Sequence, residues 1–401
     1  MRILMVNKFL YPNGGSETYM FKLGQWMTKI GHEVQYFGME HERRCVGNRV
    51  DAYTANMDFH HGSKLDKLTY PIRTIYSSEA RQKLRLVLED FEPDVVHLNN
   101  FNFQLTPSII LEADKWRRET GHSCRILYTA HDSQLVCPSH MMYLVGSNKL
   151  CNRCQGKYFS ECIRHKCIHG SALRSLLGAL EGRFWKLQHV YRKLDHIVCC
   201  SEFMKRTLDQ YPDLREKTVT LHNFITLPAE REVTQKREYV LYVGRLAVGK
   251  GVETLLEVCR ELPYIPFVFA GRGPLEEQLR WPDNVMWAGY LSGDRLDRAI
   301  REARFSVYPA EAYENCPFSV MESIMHGTPV IGSNLGGIPE LIRPGVDGDL
   351  FEGGSKQELK ACILALWQDR DRLARYTAAC ASAEFDTVET YTEKLLKLYR
   401  S

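Results

Sequence analysis

No stretch of the 401 residues approaches the roughly 18–20 consecutive apolar residues of a membrane-spanning helix, so no such span is expected. The opening MRILMVNKF lacks both the apolar core of about 7–15 residues and the small-residue cleavage site of a secretory signal. A cytoplasmic location is the resulting expectation. An excess of charge of one sign is missing as well. The formal net charge is +3, so anion recognition has to come from local placement of charge, and no nucleic-acid partner is expected. Internal repeats and low-complexity tracts are missing, which excludes solenoid and linker-like architectures. No G-x-G-x-x-G follows the first apolar run, which disfavours a dinucleotide oxidoreductase. No Asp-x-Asp stands at a convincing strand end, so no metal held by such a pair is expected. Thirteen cysteines are present, but an odd, scattered set is not the framework of a small secreted scaffold, and reduced thiols are expected.

What is present is the composition of a globular protein, 44% apolar and 25% charged, in a chain long enough for two domains of about 200 residues each. Short apolar runs alternate with longer helical patterns, which predicts an α/β fold with parallel sheets. Arg2–Asn7 reads as a first strand, Tyr11–Thr18 as a glycine turn, and the next stretch as a helix with Met20, Leu23, Met27 and Ile30 on one face. Gly31 ends that helix and Val34–Phe37 resumes as strand, completing a βαβ unit. Further strands are expected at 94–98, 125–129, 196–200 and 218–221. The polar, aperiodic segment Leu227–Glu238 is read as a linker. A second series then predicts strands at 239–243, 266–270, 285–288, 305–308 and 329–332, and helices starting near Gly251, Leu275, Arg295 and Phe318. The expected domains are 1–224 and 225–385, and Val388–Tyr399 reads as a last helix.

The most informative stretch is YPAEAYENCPFSVMESIMHGTPVIGSNLGGIPE, Tyr308–Glu340. A strand ends at Tyr308, where open α/β sheets place their ligands. The following loop carries Glu311 and Glu314, and Pro317 is expected at the first helical position. The first amides of that helix, near Phe318, Ser319 and Val320, suit a phosphate. Glu322, one turn further in, suits a sugar diol. A second constellation, VGRLAVGKGVET at Val243–Thr254, sets Arg245 and Lys250 around a glycine turn that opens a helix, a fork and a compact charge for a diphosphate. Gly271, Gly273 and Pro274 repeat the strand–glycine design on the next strand. In the first half, Gly14 and Gly15 precede a helix with Ser16 expected as its cap, and His131 and Asp132 follow a buried strand. Taken singly, each glutamate and each cation reads more readily as a solvated group, while His131 reads equally as a structural histidine, its strand-end position pointing to function.

Together they resemble a family. Glu314 and Glu322 form the E-x7-E signature of retaining transferases in glycosyltransferase family 4, and the GR-x4-KG at Gly244–Gly251, the AG-x-GP turn, the PVI-G…GGIPE segment, the GG loop and the strand-end histidine match in order. The resemblance implies a GT-B fold, two Rossmann-like domains facing each other across a cleft, with the nucleotide on the C-terminal domain and the final helix, within 386–401, packed back on the first. It implies that a UDP- or GDP-sugar is the donor substrate, that no cofactor is required, and that His131, Glu314, Arg245 and Lys250 carry catalysis. The donor-binding set it implies is Gly14, Gly15, Gly244, Arg245, Lys250, Gly271, Tyr290, Leu291, Glu314, Asn315, Phe318, Ser319, Val320 and Glu322. One departure stands in the loop, where Glu314-Asn315-Cys316-Pro317-Phe318 replaces the E-x-F-G of many relatives. The implied reaction transfers a hexose to a glycan or lipid-linked glycan with retention, by front-face attack, without an enzyme nucleophile or a metal. A synthase acting on a small or sugar-phosphate acceptor is the competing enzyme. A non-catalytic nucleotide-sugar-binding subunit is the competing non-enzyme, and the intact Glu314, Glu322, Arg245 and Lys250 argue against it.

Two features lie outside that resemblance. Cys151, Cys154, Cys162 and Cys167 are spaced C-x2-C-x7-C-x4-C, which suits a structural zinc or, because the central gap is short, free thiols of an irregular insertion. Leu173–Leu194 reads as one amphipathic helix with Leu173, Leu176, Leu177, Leu180, Phe184, Leu187, Tyr191 and Leu194 on one face, flanked by Arg174, Arg183, Lys186, Arg192 and Lys193. Packing on the first sheet is one reading of that face. Docking at the inner face of an anionic membrane is the other.

Overall fold

A computed structural model describes residues 1–56, 73–155, 159–226 and 235–401. The expected linker at 227–238 lies mostly outside the described residues. By its internal contacts the chain divides into two units. One comprises Met1–Met142, Asn152–Phe224 and Val388–Ser401; the other comprises Tyr143–Cys151 and Ile225–Thr387.

The strands in chain order are β1 (Arg2–Val6), β2 (Glu33–Phe37), β3 (Val95–Leu98), β4 (Arg125–Ala130), a short hairpin of β5 (Tyr143–Leu144) and β6 (Lys149–Leu150), β7 (His196–Cys199) and β8 (Thr218–Thr220). The first unit's sheet runs β2-β1-β3-β4-β7-β8, every pairing parallel. Its central strands are buried along almost their whole length and mostly apolar, as strands of a sheet covered on both faces are. The C-terminal helix Val388–Arg400 belongs to this unit. It buries Tyr391, Leu395 and Tyr399, with the Tyr391 hydroxyl 2.8 Å from that of Tyr19 and the Tyr399 hydroxyl 2.6 Å from His97 Nδ1.

The second unit continues with β9 (Val240–Val243), β10 (Phe267–Ala270), β11 (Val285–Gly289), β12 (Phe305–Tyr308), β13 (Val330–Ser333) and β14 (Gly348–Phe351). Their order is β11-β10-β9-β12-β13-β14, again all parallel. This is the doubly wound order whose direction of winding reverses beside the first strand. The reversal falls between β9 and β12, so the loops leaving those two strands flank the crevice where such sheets bind ligands.

Three local expectations are corrected. No helix forms near Leu275: residues 274–278 are turns, and the Leu275 amide donates to the Leu246 carbonyl at 3.0 Å, holding the segment against the loop after β9. Gly14, not Ser16, is the N-cap of the helix Gly15–Lys29, and the Ser16 hydroxyl donates to Glu17 inside the first turn. Pro317 is the residue flanking the helix Phe318–Met325 rather than its first member. The expectations also passed over β14 and the helices Lys356–Gln368 and Arg370–Cys380.

Candidate functional site

The loop after β9, Gly244–Gly251, is tied on two sides. Leu246 donates to the Arg272 carbonyl at 3.0 Å, which fixes it to the loop after β10. The Gly249 carbonyl accepts the amides of Glu311 and Ala312 at 2.8 and 2.9 Å, which fixes it to the loop after β12. Gly251 has φ +70, and a Cβ there would fall 1.7 Å from the Pro309 carbonyl, so only glycine allows this approach. The consequence is that Lys250 is carried to Glu314, with Nζ 2.5 Å from Oε1. Glu314 is held in turn: the Gly337 amide donates to its carbonyl at 2.7 Å, and Gly336, at φ +61, leaves room for it where a Cβ would not.

The pair is a partly desolvated one, with side chains 29% and 18% exposed. Burial alone would lower the Lys250 pKa, but the Glu314 carboxylate prevails and holds the ammonium above its ordinary value. Burial, then the same carboxylate, pushes the Tyr308 phenol well up, and the two groups hydrogen-bond. Arg245 is exposed on the same loop, and its charge opposes the Lys250 ammonium. A phosphate arriving here would meet two cations, one free of burial and one held by a carboxylate that a sugar hydroxyl could engage instead.

The helix Phe318–Met325 begins after Pro317 with no side-chain cap, and the Val320 amide turns back to the Pro317 carbonyl at 3.3 Å. Ser323 fixes it to β12 through Ser306, the two hydroxyls 3.0 Å apart. Phe318, Ser319, Asn315 and Glu322 are half-buried, and Val320 is buried. Gly244 and Gly271 lie back to back, since a Cβ on Gly271 would sit 1.8 Å from the Gly244 carbonyl. Tyr290, 71% exposed, and Leu291 follow β11 at the same carboxyl edge of the sheet.

Sequence reasoning passed over one participant, Tyr143 of β5. Its hydroxyl donates to Glu311 Oε2 at 3.2 Å, while Thr254 donates to Oε1 at 2.5 Å. Glu311 is thus a tether for the loop that carries Glu314, and Tyr143 secures it.

In the first unit, Gly14 and Gly15 are exposed at the helix start after β1. His131 follows β4 and donates from Nε2 to Asn99 Oδ1 at 2.9 Å, with its ring edge against Tyr19 at 4.8 Å. Burial, helped by His97, pushes its pKa down to about 3, so the imidazole is neutral at physiological pH.

Among the described residues no group of three or more His, Cys, Asp or Glu side chains is arranged to hold a metal ion. The four-cysteine zinc is therefore not assembled: Cys154, Cys162 and Cys167 pack in an apolar cluster of the first unit, and Cys151 sorts with the second. The amphipathic segment is also corrected. Its helix ends at Leu187, and Tyr191 and Leu194 turn inward, Leu194 at the end of a short 3-10 turn. The face that packs inward is Ser175, Gly178, Ala179, Glu181 and Trp185, whereas Leu173, Leu176, Leu180, Phe184 and Leu187 stand exposed. No helix among the described residues is long and apolar enough to cross a membrane.

A family model described as Glycosyltransferase Family 4 matches residues 13–227, and one described as Glycosyl transferases group 1 matches residues 224–381. Sulfoquinovosyl transferase SQD2 of Arabidopsis thaliana is 32% identical over 142 residues, 34% of this chain but only 28% of that protein. An uncharacterized 42.6 kDa protein in the cps region of Klebsiella pneumoniae is 24% identical over 86% of this chain and 88% of its own length. The amylovoran biosynthesis glycosyltransferase AmsK of Erwinia amylovora is 32% identical over 36% of this chain and 40% of its own. Among solved structures, Anabaena Alr3699/HepE in complex with UDP superposes with a TM-score of 0.66 at 15% identity, covering 99% of each chain.

Proposed function

The chain belongs to glycosyltransferase family 4, with the GT-B fold, and on that premise we propose that it is a retaining hexosyltransferase using a UDP- or GDP-sugar. The proposed acceptor is a glycan or lipid-linked glycan of polysaccharide biosynthesis, a reading supported by the name of the AmsK relative. The observation that carries the proposal is the Lys250–Glu314 pair at the winding reversal of the second sheet, beside Arg245 and the start of the helix Phe318–Met325.

In this reading the donor diphosphate takes Arg245, Lys250 and the amides around Phe318–Val320, and the Glu314 carboxylate passes to hydroxyls of the transferred sugar. Glu322 takes the ribose diol; Gly244, Gly271, Tyr290, Leu291 and Asn315 line the nucleotide and sugar. Gly14 and Gly15 are assigned to backbone approach to the donor, and His131, as a neutral imidazole, to the transferred sugar. Departure of the diphosphate builds negative charge where the two cations and the amides already point, so electrostatic preorganisation supplies the catalysis. No enzyme nucleophile and no metal are assigned.

The test is a panel of UDP-, GDP- and ADP-sugars followed by thermal unfolding and product analysis in EDTA. Binding raises the melting temperature in proportion to the logarithm of ligand over affinity. One nucleotide should shift melting selectively and yield a product of unchanged anomeric configuration under chelation. No shift with any donor overturns the proposal, an inverted product removes retention, and rescue by Mn²⁺ or Mg²⁺ removes metal independence.

The exposed stripe favours a location against the inner face of the membrane. Leu173 and Leu187 are 66% and 67% exposed, and Arg174, Arg183 and Lys186 flank the stripe. An apolar face edged by cations matches an anionic bilayer. Flotation with acidic vesicles should carry the protein, and the Leu173→Glu, Leu187→Glu variant should stay behind. Equal recovery with neutral and acidic vesicles would remove the membrane from the reading.

A further inference from the structure

The inward face of the helix Ala172–Leu187 carries an unexplained group. Glu181 is 4% exposed, and its Oε1 has no hydrogen-bond partner. Burying an unpaired carboxyl is destabilising, and a leucine at this place would avoid that cost. Glu181 faces a cavity of about 220 Å³ in the first unit, walled by Phe159, Trp185, Tyr191 and Tyr211. None of the residues assigned above to the donor lines it.

The chemistry of the cavity narrows its ligand. The volume lies below the roughly 300–1,000 Å³ of pockets for drug-sized molecules, so it suits a single small ring. One wall is rigid: Trp185 donates from Nε1 to the Ile75 carbonyl at 3.0 Å and stacks on Tyr76 with centroids 5.8 Å apart. The Lys186 ammonium lies 6.0 Å from the Phe159 ring centre and 5.2 Å from that of Tyr211, so a second cation would be repelled from those rings. Asp213, also lining the cavity, is committed to His189 and Arg192 at 2.7 and 2.6 Å. A neutral ring with hydroxyls fits this lining, its C–H face suited to the aromatic walls and its hydroxyls to the carboxyl. Burial pushes the Glu181 pKa up to about 8, so at neutral pH the carboxyl both donates and accepts.

We propose that this cavity binds one pyranose residue of a neutral glycan, with Glu181 hydrogen-bonding its hydroxyls between the aromatic walls of Trp185, Tyr191 and Tyr211. The choice of a sugar rests on the transfer reading; the existence of a ligand pocket rests on the unpaired carboxyl and the cavity.

The experiment is saturation-transfer NMR on the full chain at pH 7 with methyl glucoside, galactoside, mannoside and N-acetylglucosaminide. At least one should bind, and Glu181→Leu should weaken it tenfold or more while melting no lower than wild type. Glu181→Gln, which can still donate and accept, should retain most of the binding. Tyr211→Leu should weaken binding as well, and it tests the wall independently of the carboxyl. The nucleotide-induced thermal shift should be unchanged in all three variants. Sugar binding without any nucleotide shift leaves the pocket standing and removes the transfer reading. The pocket is overturned if no glycoside binds, if binding survives both Glu181→Leu and Tyr211→Leu, if Glu181→Leu unfolds below wild type, or if tetramethylammonium binds in place of the sugars.

Discussion

Lys250 and Glu314 satisfy each other across 2.5 Å in the absence of a donor, so each must change partner for the proposed reaction to proceed. Removing one member therefore frees the other. Glu314→Ala leaves Lys250 available to a diphosphate, so nucleotide affinity should hold or rise while transfer falls by about 10²–10³-fold, the range for losing one preorganised group. Arg245→Ala, on an exposed cation with no carboxylate to release, should weaken nucleotide binding and turnover together. Turnover with parallel nucleotide titration separates the two, and equal, mild losses would sink the assignment. Spacing along the chain was enough to nominate these residues, because Glu314 and Glu322 sit on one loop and helix, and Arg245 and Lys250 on one turn. Their mutual pairing was not legible, since nothing local joins positions 250 and 314. Tyr143 was less legible still: it reaches Glu311 across 168 positions, from a hairpin whose sequence has no chemical signature.

At the scale of elements, two tight loops decide where the pair sits, and Gly251 is the point at which they touch. An alanine there would need both a positive φ and a Cβ 1.7 Å from the Pro309 carbonyl. The backbone must move, at a cost of about 3 kcal/mol or more. For a unit of this size that is a fall in melting temperature of roughly 6–12 °C. Because the same movement withdraws Lys250, Gly251→Ala should also lose its nucleotide-induced shift. Calorimetry with and without nucleotide checks both, and a variant that melts and binds like the wild type would refute the clamp. The central strands of both sheets were readable because burial on two faces makes them mostly apolar runs. Elements without that signal were missed or misread. β14, Gly348–Phe351, has only two large apolar residues, and the leucines after Gly273 have a helical spacing although the segment forms turns tied to the Leu246 carbonyl. The stripe on Ala172–Leu187 was read correctly as a stripe, yet periodicity is blind to which face turns inward. Small residues and Trp185 pack; the leucines do not.

For the molecule as a whole, buried titratable groups are unevenly shared. His97, His131 and His140 all lie in the first unit, and burial pushes their pKa values down to about 3, 3 and 4. A histidine kept neutral in the fold contributes no pH dependence above its ordinary value near 6.5. Below that, the unfolded chain gains a proton that the folded chain refuses, so stability is lost as pH falls toward the folded values. Glu181 acts in the opposite sense. Its pKa is up at about 8, so between roughly pH 8 and 4.5 the folded state holds a proton that the unfolded state has released, and acid favours folding. Taken by themselves, these three histidines against one carboxyl leave a net of about two protons taken up on unfolding near pH 5.5, or roughly 3 kcal/mol lost per pH unit, and His32 and His196, also shifted down in this unit, act in the same direction. In the second unit His326 is shifted down as well, but as a single such histidine. Calorimetry from pH 7 to 5 should therefore show the first unit's transition falling faster than the second's. The Glu181→Leu variant should start more stable at pH 7 and lose stability more steeply, by about three protons instead of two, because the opposing group is gone. A first-unit transition indifferent to pH across that interval would mean that these histidines are not held neutral. An unchanged slope in Glu181→Leu would mean that the carboxyl is not protonated in the fold.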